Sequence, residues 1–209
     1  MLALAIPRGR VLEQCGDVLR MLGATISTLD AGLPRRALLM RTTSRSVAVA
    51  VLRCSDVVDF VRRGYVSAGI VGGDVVRESR LCVASPLDIR ISQCRMSLAL
   101  RSPLDVMHPY KLRVATKYPN AVRAFLGARD SVAYVSLHGG MEVAPLLGAS
   151  DVVADIVDTG TTLAAHGLSE VRRVAAVSAR LVLNACLARI KARAMRIVTD
   201  MLRLASEHL

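Results

Sequence analysis

The sequence predicts an α/β fold, because short apolar segments of strand length alternate with amphipathic segments of helical length along most of the chain. The chain has 209 residues, of which 53% are hydrophobic and 22% are charged. Such a composition is typical of a folded chain that is long enough for one large domain or two small lobes. Aromatic residues make up only 3% and tryptophan is absent, so we expect an aliphatic core.

The first half of the chain predicts one α/β unit. Its predicted elements are, in order, a strand at residues 2–6, a helix at 11–22, a strand at 46–52, a helix at 56–64, and a strand at 67–76 that breaks at Gly72-Gly73 and enters a helix. The strands are apolar runs, whereas the helices carry apolar side chains three and four residues apart. Asp56 could cap the second helix, and Gly64 ends it.

A second, smaller unit is predicted from Cys94 onward. Its predicted elements are a strand within residues 111–119, a helix at 120–127, a strand at 131–137, a short helix at 142–148, a strand at 151–157, and a helix that begins in the next loop. Residues 171–185 are typical of strands and could return the chain to the first unit. From Leu187 an apolar stripe predicts a helix that packs on the first unit or in a dimer.

The net charge of +11 and the sequence pI of about 10.3 favour an anionic partner. Such a partner could be nucleic acid, a membrane surface, a polyphosphate metabolite or an acidic protein, all of which are negatively charged. The basic residues form no run longer than a pair, and few aromatic side chains are present to stack on bases. These features argue against nucleic acid, but charge alone does not choose among the other partners.

Cysteine and histidine spacing excludes several kinds of site. The five cysteines and four histidines show neither a metal-ligand pattern nor a disulfide framework, so we expect no protein-bound metal. We expect the cysteines to be buried free thiols in a reducing compartment. No stretch is apolar enough to cross a bilayer, and the start, MLALAIPRGR, lacks the basic region of a signal peptide. We therefore expect a cytoplasmic protein without a membrane partner.

Residues 155–163, DIVDTGTTL, combine two carboxylates, three hydroxyls and a glycine where a strand turns into a helix. Gly160 lets the backbone approach a ligand, and the free N–H groups of the new helix attract phosphate. The hydroxyls belong to Thr159, Thr161 and Thr162. Asp155 and Asp158 suit a ligand that also carries hydroxyls, such as ribose 5-phosphate with its diol. The same pattern is also typical of an ordinary capped helix N-terminus.

Several motifs occur with this loop in one order along the chain. They are IPRGR (6–10), GYVSAGIVGGDVV (64–76), RVATKYP (113–119), HGGMEVAPLLG (138–148), DIVDTGTTL (155–163) and GL (167–168). Together they resemble ATP phosphoribosyltransferase, the family that catalyses the first step of histidine biosynthesis. The resemblance covers nearly the whole chain and is strongest at residues 64–76, 111–119 and 137–168.

The resemblance implies a fold and an assembly. It is to the short form of the family, so it implies two lobes like a type II periplasmic binding protein, with the active site in the cleft between them. The first lobe would be residues 1–94 with 179–209, and the second would be residues 95–178. The resemblance also implies a homodimer and a hetero-octamer with a regulatory subunit similar to a histidyl-tRNA synthetase catalytic domain.

The reaction implied by the resemblance joins two phosphorylated substrates. Adenine N1 of ATP displaces pyrophosphate from C1 of phosphoribosyl pyrophosphate, and Mg²⁺ is bound to the pyrophosphate. No covalent enzyme intermediate is required, which agrees with a sequence that shows no nucleophile–base pair.

The resemblance also implies roles for particular residues. Those implied to hold the ribose 5-phosphate moiety are Asp155, Asp158, Thr159, Gly160, Thr161 and Thr162. Those implied to bind ATP or its phosphates are Arg8, Gly9, Arg10 and Glu142. Arg36 and Arg53 fall near the triphosphate and the pyrophosphate, where a permanently charged guanidinium stabilises a leaving group. Outside the family, such arginines also form surface ion pairs, and Glu142 would be an ordinary first-turn acid.

Four positions depart from the family pattern. Arg8 stands where lysine is common, and Asp158 replaces the usual glutamate or serine. His138 stands in place of asparagine or serine, and Gly140 stands in place of serine. The last two changes put the polar contacts of that turn in doubt.

Three other functions remain open from the sequence. A phosphoribosyltransferase for free bases usually has two adjacent acids before its threonine-glycine turn, whereas Ile156 and Val157 separate the two acids here. A non-catalytic solute-binding or sensor protein would share the two-lobed fold. A subunit that binds the substrates without turnover would fit the changes at His138 and Gly140.

Overall fold

The computed structural model describes residues 2–21, 38–43, 47–101, 111–127 and 129–186, together with residues 192, 196, 199, 200, 202 and 203. Arg36 and most of the helix expected from Leu187 lie outside the described residues. The chain divides into two compact units. The first is Met1–Ser92 with Ser178–Leu209, and the second is Gln93–Val177.

Strands and helices alternate in both units, which confirms the predicted α/β class. The strands are β1 (Leu2–Pro7), β2 (Leu39–Arg41), β3 (Val47–Leu52), β4 (Ala68–Gly72), β5 (Ala84–Asp88), β6 (Cys94–Leu100), β7 (Leu112–Thr116), β8 (Val132–Ser136), β9 (Val152–Val157), β10 (Ser169–Val177) and β11 (Ala179–Leu183). The helices with assigned bounds are α1 (Arg10–Met21), α2 (Cys54–Arg62), α3 (Gly73–Ser79), α4 (Pro119–Leu126), α5 (Val143–Leu146) and α6 (Thr161–Ala165).

The first unit is built on a six-stranded sheet with the order β2-β3-β1-β4-β11-β5. Strand β1 is parallel to β3 and β4, whereas β11 is antiparallel to both β4 and β5. Successive side chains of β1 enter different cores because they point to opposite faces of the sheet. Leu4 and Ile6 pack in the cluster that contains Cys15 of α1, and Ala5 packs in the cluster that contains Val57 of α2. Helices therefore cover both faces, which explains why β1 is a continuous apolar run.

Helix α2 begins two residues earlier than the sequence predicts. Its N-cap is Arg53, no side chain caps it, and Asp56 is its third residue. The predicted Asp56 cap is therefore wrong, because acidic residues are favoured in the whole first turn and not only at the cap. Gly64 follows the helix with a φ of +77°, a left-handed conformation that ends helices.

The second unit has a five-stranded sheet with the order β10-β6-β9-β7-β8. Strands β7, β8 and β9 run parallel to one another, and β6 lies antiparallel between β9 and β10. One face packs against Val122 of α4 and against Tyr118, the residue that precedes the helix. The other face carries Val153 and Val157, which pack with Leu163 of α6. Both helices are thus held on the sheet by apolar contacts.

The cysteines differ from the expectation of buried thiols. All five are free, but only Cys15 is buried, and burial raises its pKa to about 12. Cys54, Cys82 and Cys186 are exposed, and Cys94 is half-buried. Among the described residues, no helix combines the length and the apolar character that crossing a membrane requires.

Candidate functional site

Strands β1 and β3 bring a group of arginines to one edge of the first unit's sheet. Pro7 is in register with Leu52, so the two parallel strands end side by side. The backbone N–H of Arg8 continues this pairing by donating to the carbonyl oxygen of Leu52 over 3.3 Å. Arg53 is the next residue after Leu52, and Arg8 and Arg53 are therefore neighbours across the strand ends.

Helix α1 begins at this same edge after a tight turn. Gly9 has a φ of +90°, which favours glycine, and its carbonyl oxygen accepts from the N–H of Glu13 over 3.2 Å. Arg10 is the first residue of α1 and donates from Nη2 to the carbonyl oxygen of Ser92 over 3.5 Å. We call Arg8, Gly9, Arg10 and Arg53 the arginine edge.

The arginine edge is suited to anions. All four residues of the edge are exposed. Helices α1 and α2 both begin there, and a helix N-terminus carries a partial positive charge and unpaired N–H groups. Three guanidinium groups add permanent positive charge and planar donor geometry, which match phosphate oxygens. The carboxyl ends of parallel strands are also where open α/β sheets bind ligands.

The second unit presents a different anion-binding feature after β9. Residues 158–162, which we call the threonine loop, run from the end of β9 into the first turn of α6. Gly160 has a φ of +87°, and its carbonyl oxygen accepts from the N–H of Ala164 over 3.1 Å to close the first turn. The hydroxyls of Thr159 and Thr161 are hydrogen-bonded to each other at 2.8 Å. The loop is exposed at all three threonines, whose hydroxyls are therefore accessible to a ligand.

Asp155 lies within β9, three residues before Asp158. Its Oδ1 accepts from the N–H of Ile156 over 2.8 Å, and its side chain is half-buried. Asp158 is exposed at the start of the threonine loop. Asp155 and Asp158 thus place carboxylate acceptors just before and within the threonine loop, and such acceptors suit sugar hydroxyls.

The turn at residues 138–142 follows β8, which ends at the same edge of the sheet as β9 because both are parallel to β7. Gly140 has a φ of +63°, and an added Cβ would have no neighbour within 4 Å. Its carbonyl oxygen accepts from the N–H of Val143 over 3.1 Å. Glu142 is half-buried immediately before α5, and its side chain makes no capping hydrogen bond. The left-handed backbone of this turn therefore favours glycine at position 140, although there is room for a side chain.

A network that sequence analysis missed supports the threonine loop. Arg95 of β6 donates from Nη1 to the carbonyl oxygen of Asp158 over 2.8 Å. The same guanidinium forms an ion pair with Glu170, with Nη2 and Oε2 separated by 2.7 Å. Ser97 donates from Oγ to Oε1 of Glu170 over 2.8 Å. Arg95 and Ser97 alternate with apolar residues in β6, and this period of two was the only signal in the sequence.

The network changes the ionisation of both charged groups. Hydrogen bonds from Arg95 hold the pKa of the Glu170 carboxyl below its ordinary value of 4.5, although partial burial opposes this shift. The hydrogen bond to Glu170 in turn raises the pKa of Arg95. Both groups are therefore charged at neutral pH.

The structure brings the predicted residues together in two groups. Arg8, Gly9, Arg10 and Arg53 share the arginine edge of the first unit. In the second unit, the turn with Glu142 follows β8 and the threonine loop follows β9, so both lie at the same edge of the sheet. The other predicted residues lie in this loop or at the end of β9: Asp155, Asp158, Thr159, Gly160, Thr161 and Thr162. In the part of the chain that is described, no three histidine, cysteine or acidic side chains are grouped to hold a metal ion.

Comparisons with known proteins agree on one family. The family model of HisG, ATP phosphoribosyltransferase, matches residues 53–204. An ATP phosphoribosyltransferase of Variovorax paradoxus is 37% identical over 206 residues, which is 96% of each chain. Another, from Albidiferax ferrireducens, is 38% identical over the same length and share.

Solved structures that are similar to this chain identify its fold. An ATP phosphoribosyl transferase (HisG:HisZ) complex from Thermotoga maritima matches with a TM-score of 0.84 and 26% identity over 100% of both chains. The periplasmic aliphatic sulphonate binding protein SsuA from Escherichia coli matches with a TM-score of 0.58 and 12% identity over 98% of this chain and 72% of the other. The second likeness confirms a fold of the type II periplasmic-binding-protein kind. With a family match over most of its length and relatives more than one-third identical, the chain belongs to the ATP phosphoribosyltransferase family.

Proposed function

We propose that this chain transfers the phosphoribosyl group of phosphoribosyl pyrophosphate to N1 of the adenine of ATP, releasing pyrophosphate, in the first step of histidine biosynthesis. Family membership supports the reaction. The observation on which the site proposal rests is the threonine loop, where left-handed Gly160 joins a strand end to the first turn of α6. Such a turn presents backbone N–H groups and hydroxyls to a phosphate.

The threonine loop is proposed to bind the 5-phosphate of the donor substrate. Thr159, Thr161 and Thr162 supply hydroxyl donors, and Gly160 lets the phosphate approach the backbone. The carboxylates of Asp155 and Asp158 accept hydrogen bonds from the ribose hydroxyls. This assignment gives the acids a role that a simple phosphate site would not explain, since carboxylates repel phosphate.

The arginine edge is proposed to bind the triphosphate of ATP and the pyrophosphate leaving group. Arg8, Gly9 and Arg10 would contact phosphate oxygens, and Arg53 would stabilise the departing pyrophosphate. Arg36 has the same proposed role and lies outside the described residues. Glu142 is proposed to contribute to ATP binding from the turn that follows β8.

The proposed catalysis depends on positioning and charge neutralisation. Orientation of two bound reactants can supply roughly 7–11 kcal/mol of the barrier reduction. Positive groups at the leaving pyrophosphate stabilise charge that grows in the transition state. Mg²⁺ would enter with the pyrophosphate substrate and neutralise part of its charge.

We also propose where the protein acts and with what partners. Residues 95–178 would form the lobe that binds the phosphoribosyl group, and residues 1–94 with 179–209 would form the other lobe. The HisG:HisZ complex of Thermotoga maritima supports assembly of this chain with a second, regulatory subunit. The family resemblance extends this proposal to a homodimer within a hetero-octamer, with a histidyl-tRNA-synthetase-like regulatory subunit. The exposed free thiols are suited to the cytoplasm, which is reducing.

The test is turnover of the purified chain with ATP, phosphoribosyl pyrophosphate and Mg²⁺, followed by the ultraviolet change on substitution at N1. Parallel samples carry Arg53→Ala in the arginine edge and Thr161→Ala in the threonine loop. Turnover that is lost in both variants supports the reaction and both sites. If the wild-type chain is inactive alone, the assay is repeated with the regulatory subunit. Calorimetric binding of both substrates without turnover in either assay would contradict the enzymatic proposal.

A further inference from the structure

We propose that Arg95, oriented by Glu170, is a positioning residue that sets the geometry of the threonine loop and thereby the affinity for the phosphoribosyl donor. The inference rests on the proposed role of that loop in binding the 5-phosphate. Arg95 acts through the loop backbone and is not proposed to touch the substrate.

The first argument is that Arg95 holds both ends of the segment that carries the loop. After β9 the chain leaves the sheet at residue 158, forms α6, and enters β10, whose second residue is Glu170. The Arg95 guanidinium donates to the carbonyl oxygen of Asp158 at one end, over 2.8 Å, and to the Glu170 carboxylate at the other. A single side chain thus connects the start and the end of the segment from Asp158 to Glu170.

The second argument is that the guanidinium cannot rotate freely. Nε of Arg95 donates to Oε1 of Glu170 over 2.9 Å while Nη2 donates to Oε2 over 2.7 Å, which is a parallel two-point contact. The Oγ donor of Ser97, a residue that is only 1% exposed, fixes the carboxylate from the neighbouring strand β6. Two-point contacts of this kind determine direction as well as distance, and the remaining donor Nη1 is therefore aimed at Asp158.

The third argument concerns charge. Arg95 is paired with Glu170, so its positive charge is largely neutralised before any phosphate arrives. Its effect on the donor substrate is therefore expected to come from loop geometry. Ordering a loop before binding removes part of the entropy cost of association, because the ligand no longer has to immobilise it.

The same sheet contains a matched control near the amino ends of its parallel strands, away from the threonine loop. Arg113 of β7 forms an ion pair with Asp151, with Nη2 and Oδ1 separated by 2.7 Å, and donates from Nη1 to the carbonyl oxygen of Gly148 over 2.7 Å. This pair has the same chemistry as the Arg95 network, but Asp151 precedes β9 and the threonine loop follows it. A purely structural role would give both arginines similar effects.

The kinetic experiment compares Arg95→Met, Arg95→Lys, Glu170→Gln and Arg113→Met in the full chain. We expect Arg95→Met to raise the KM for phosphoribosyl pyrophosphate about tenfold, because the charge-assisted hydrogen bond to the loop is lost. The KM for ATP is expected to stay within about twofold. Arg95→Lys keeps the charge but not the planar fork and should rescue the affinity only in part. Arg113→Met should leave both KM values near those of the wild-type chain.

A second measurement is independent of turnover. Hydrogen exchange of the backbone amides at residues 159–162 is followed in the free proteins. Faster exchange in Arg95→Met and Glu170→Gln, but not in Arg113→Met, is expected if the network orders the loop. Equal exchange in all four variants and the wild-type chain would overturn the inference, whether or not the chain is active.

The two measurements separate the inference from the proposed function. An ordered loop that loosens in Arg95→Met, in a chain without turnover even with its partner, would support the positioning role and contradict the enzymatic proposal. Normal turnover with an unchanged KM for phosphoribosyl pyrophosphate in Arg95→Met would support the enzymatic proposal and contradict the positioning role.

Discussion

The N–H of Arg8 donates to the carbonyl oxygen of Leu52 over 3.3 Å, which extends the pairing of two parallel strands one step beyond the sheet. This bond fixes the first residue after β1 beside the last residue of β3. Arg53 follows Leu52 directly and caps α2 with an extended backbone at φ −75° and ψ 152°. Backbone pairing therefore places Arg8 beside Arg53 at this end of the sheet.

Arg53→Ala is expected to lower kcat/KM by about 10²-fold, because it removes a charge proposed to stabilise the leaving pyrophosphate. Stability should change little, since Arg53 is exposed at the helix start. Steady-state assays and urea unfolding measure the two effects. Arg63→Ala at the other end of α2 is the control, because the Arg63 side chain is exposed and its ion pair with Asp59 is long, at 3.9 Å. Equal losses of activity in both variants would contradict the assignment.

Gly160→Ala is expected to strain the threonine loop by about 1–2 kcal/mol, since the left-handed conformation is unfavourable for a residue with a Cβ. The effect should come from the backbone, because the nearest atom to an added Cβ is Cγ1 of Val157 at 3.9 Å. We expect a raised KM for phosphoribosyl pyrophosphate. Gly139→Ala is the matched control, because Gly139 has open space and no positive φ. A raised KM in Gly139→Ala alone would argue against the loop as the donor site.

The Glu170 ion pair predicts a pH dependence of stability. Because the folded-state pKa lies below the ordinary 4.5, folding favours the ionised carboxylate. This contribution is present above the unfolded pKa and is lost as the pH falls through the folded pKa. Urea midpoints of the wild-type chain and Glu170→Gln, measured from about pH 3 to about pH 7, should converge at the acidic end. A constant difference across this range would contradict the assigned pairing. Asp59→Asn, at an exposed pair with Arg62, is expected to have little effect at any pH.

Gly69→Ala is expected to destabilise the first unit by about 1–3 kcal/mol through overpacking. A Cβ at Gly69 of β4 would lie 2.6 Å from Cγ1 of Val57 and 3.3 Å from the carbonyl oxygen of Ala5. Val57 is fully buried in α2, and a β-branched side chain in a helix has one preferred rotamer, so it cannot move away cheaply. Chemical unfolding measures the effect. In the double variant with Val57→Ala, the added methyl should cost less, although Cγ2 of Val61 remains 3.1 Å from it. Strictly additive losses would show that the clash with Val57 is not the cause.

Elements with strong periodicity were predictable from the sequence, whereas those defined by tertiary pairing were not. Strands β1, β3 and β9 are apolar runs that lie within one residue of their predicted bounds. Strands β2 and β5 were missed, and no element was assigned to the residues of β6. The three residues of β2 are too few to show a period, and β5 contains Pro86, which a strand tolerates at the edge of a sheet.

The same distinction applies to the site. The threonine loop is local in sequence, because strand end, glycine and hydroxyls occur within eight residues of one another, and it was predictable. Arg95 and Glu170 are 75 residues apart, and only the pairing of β6 with β10 brings them together. No local pattern encodes that pairing. The capping of α2 was misassigned for a related reason, because several first-turn positions favour the same acids.

The position of β11 has a consequence for synthesis of the protein on the ribosome. When the first 92 residues have emerged, β4 and β5 are complete, but the strand that joins them has not yet been made. Residues 93–177 contain every strand of the second sheet, so this unit can fold before the first one closes. Leu181 and Val182, both fully buried, then enter the gap last. A stalled or truncated product ending before Ala179 would leave the edges of β4 and β5 unpaired, and unpaired edges favour aggregation. Nascent chains of that length are therefore expected to depend most on chaperones.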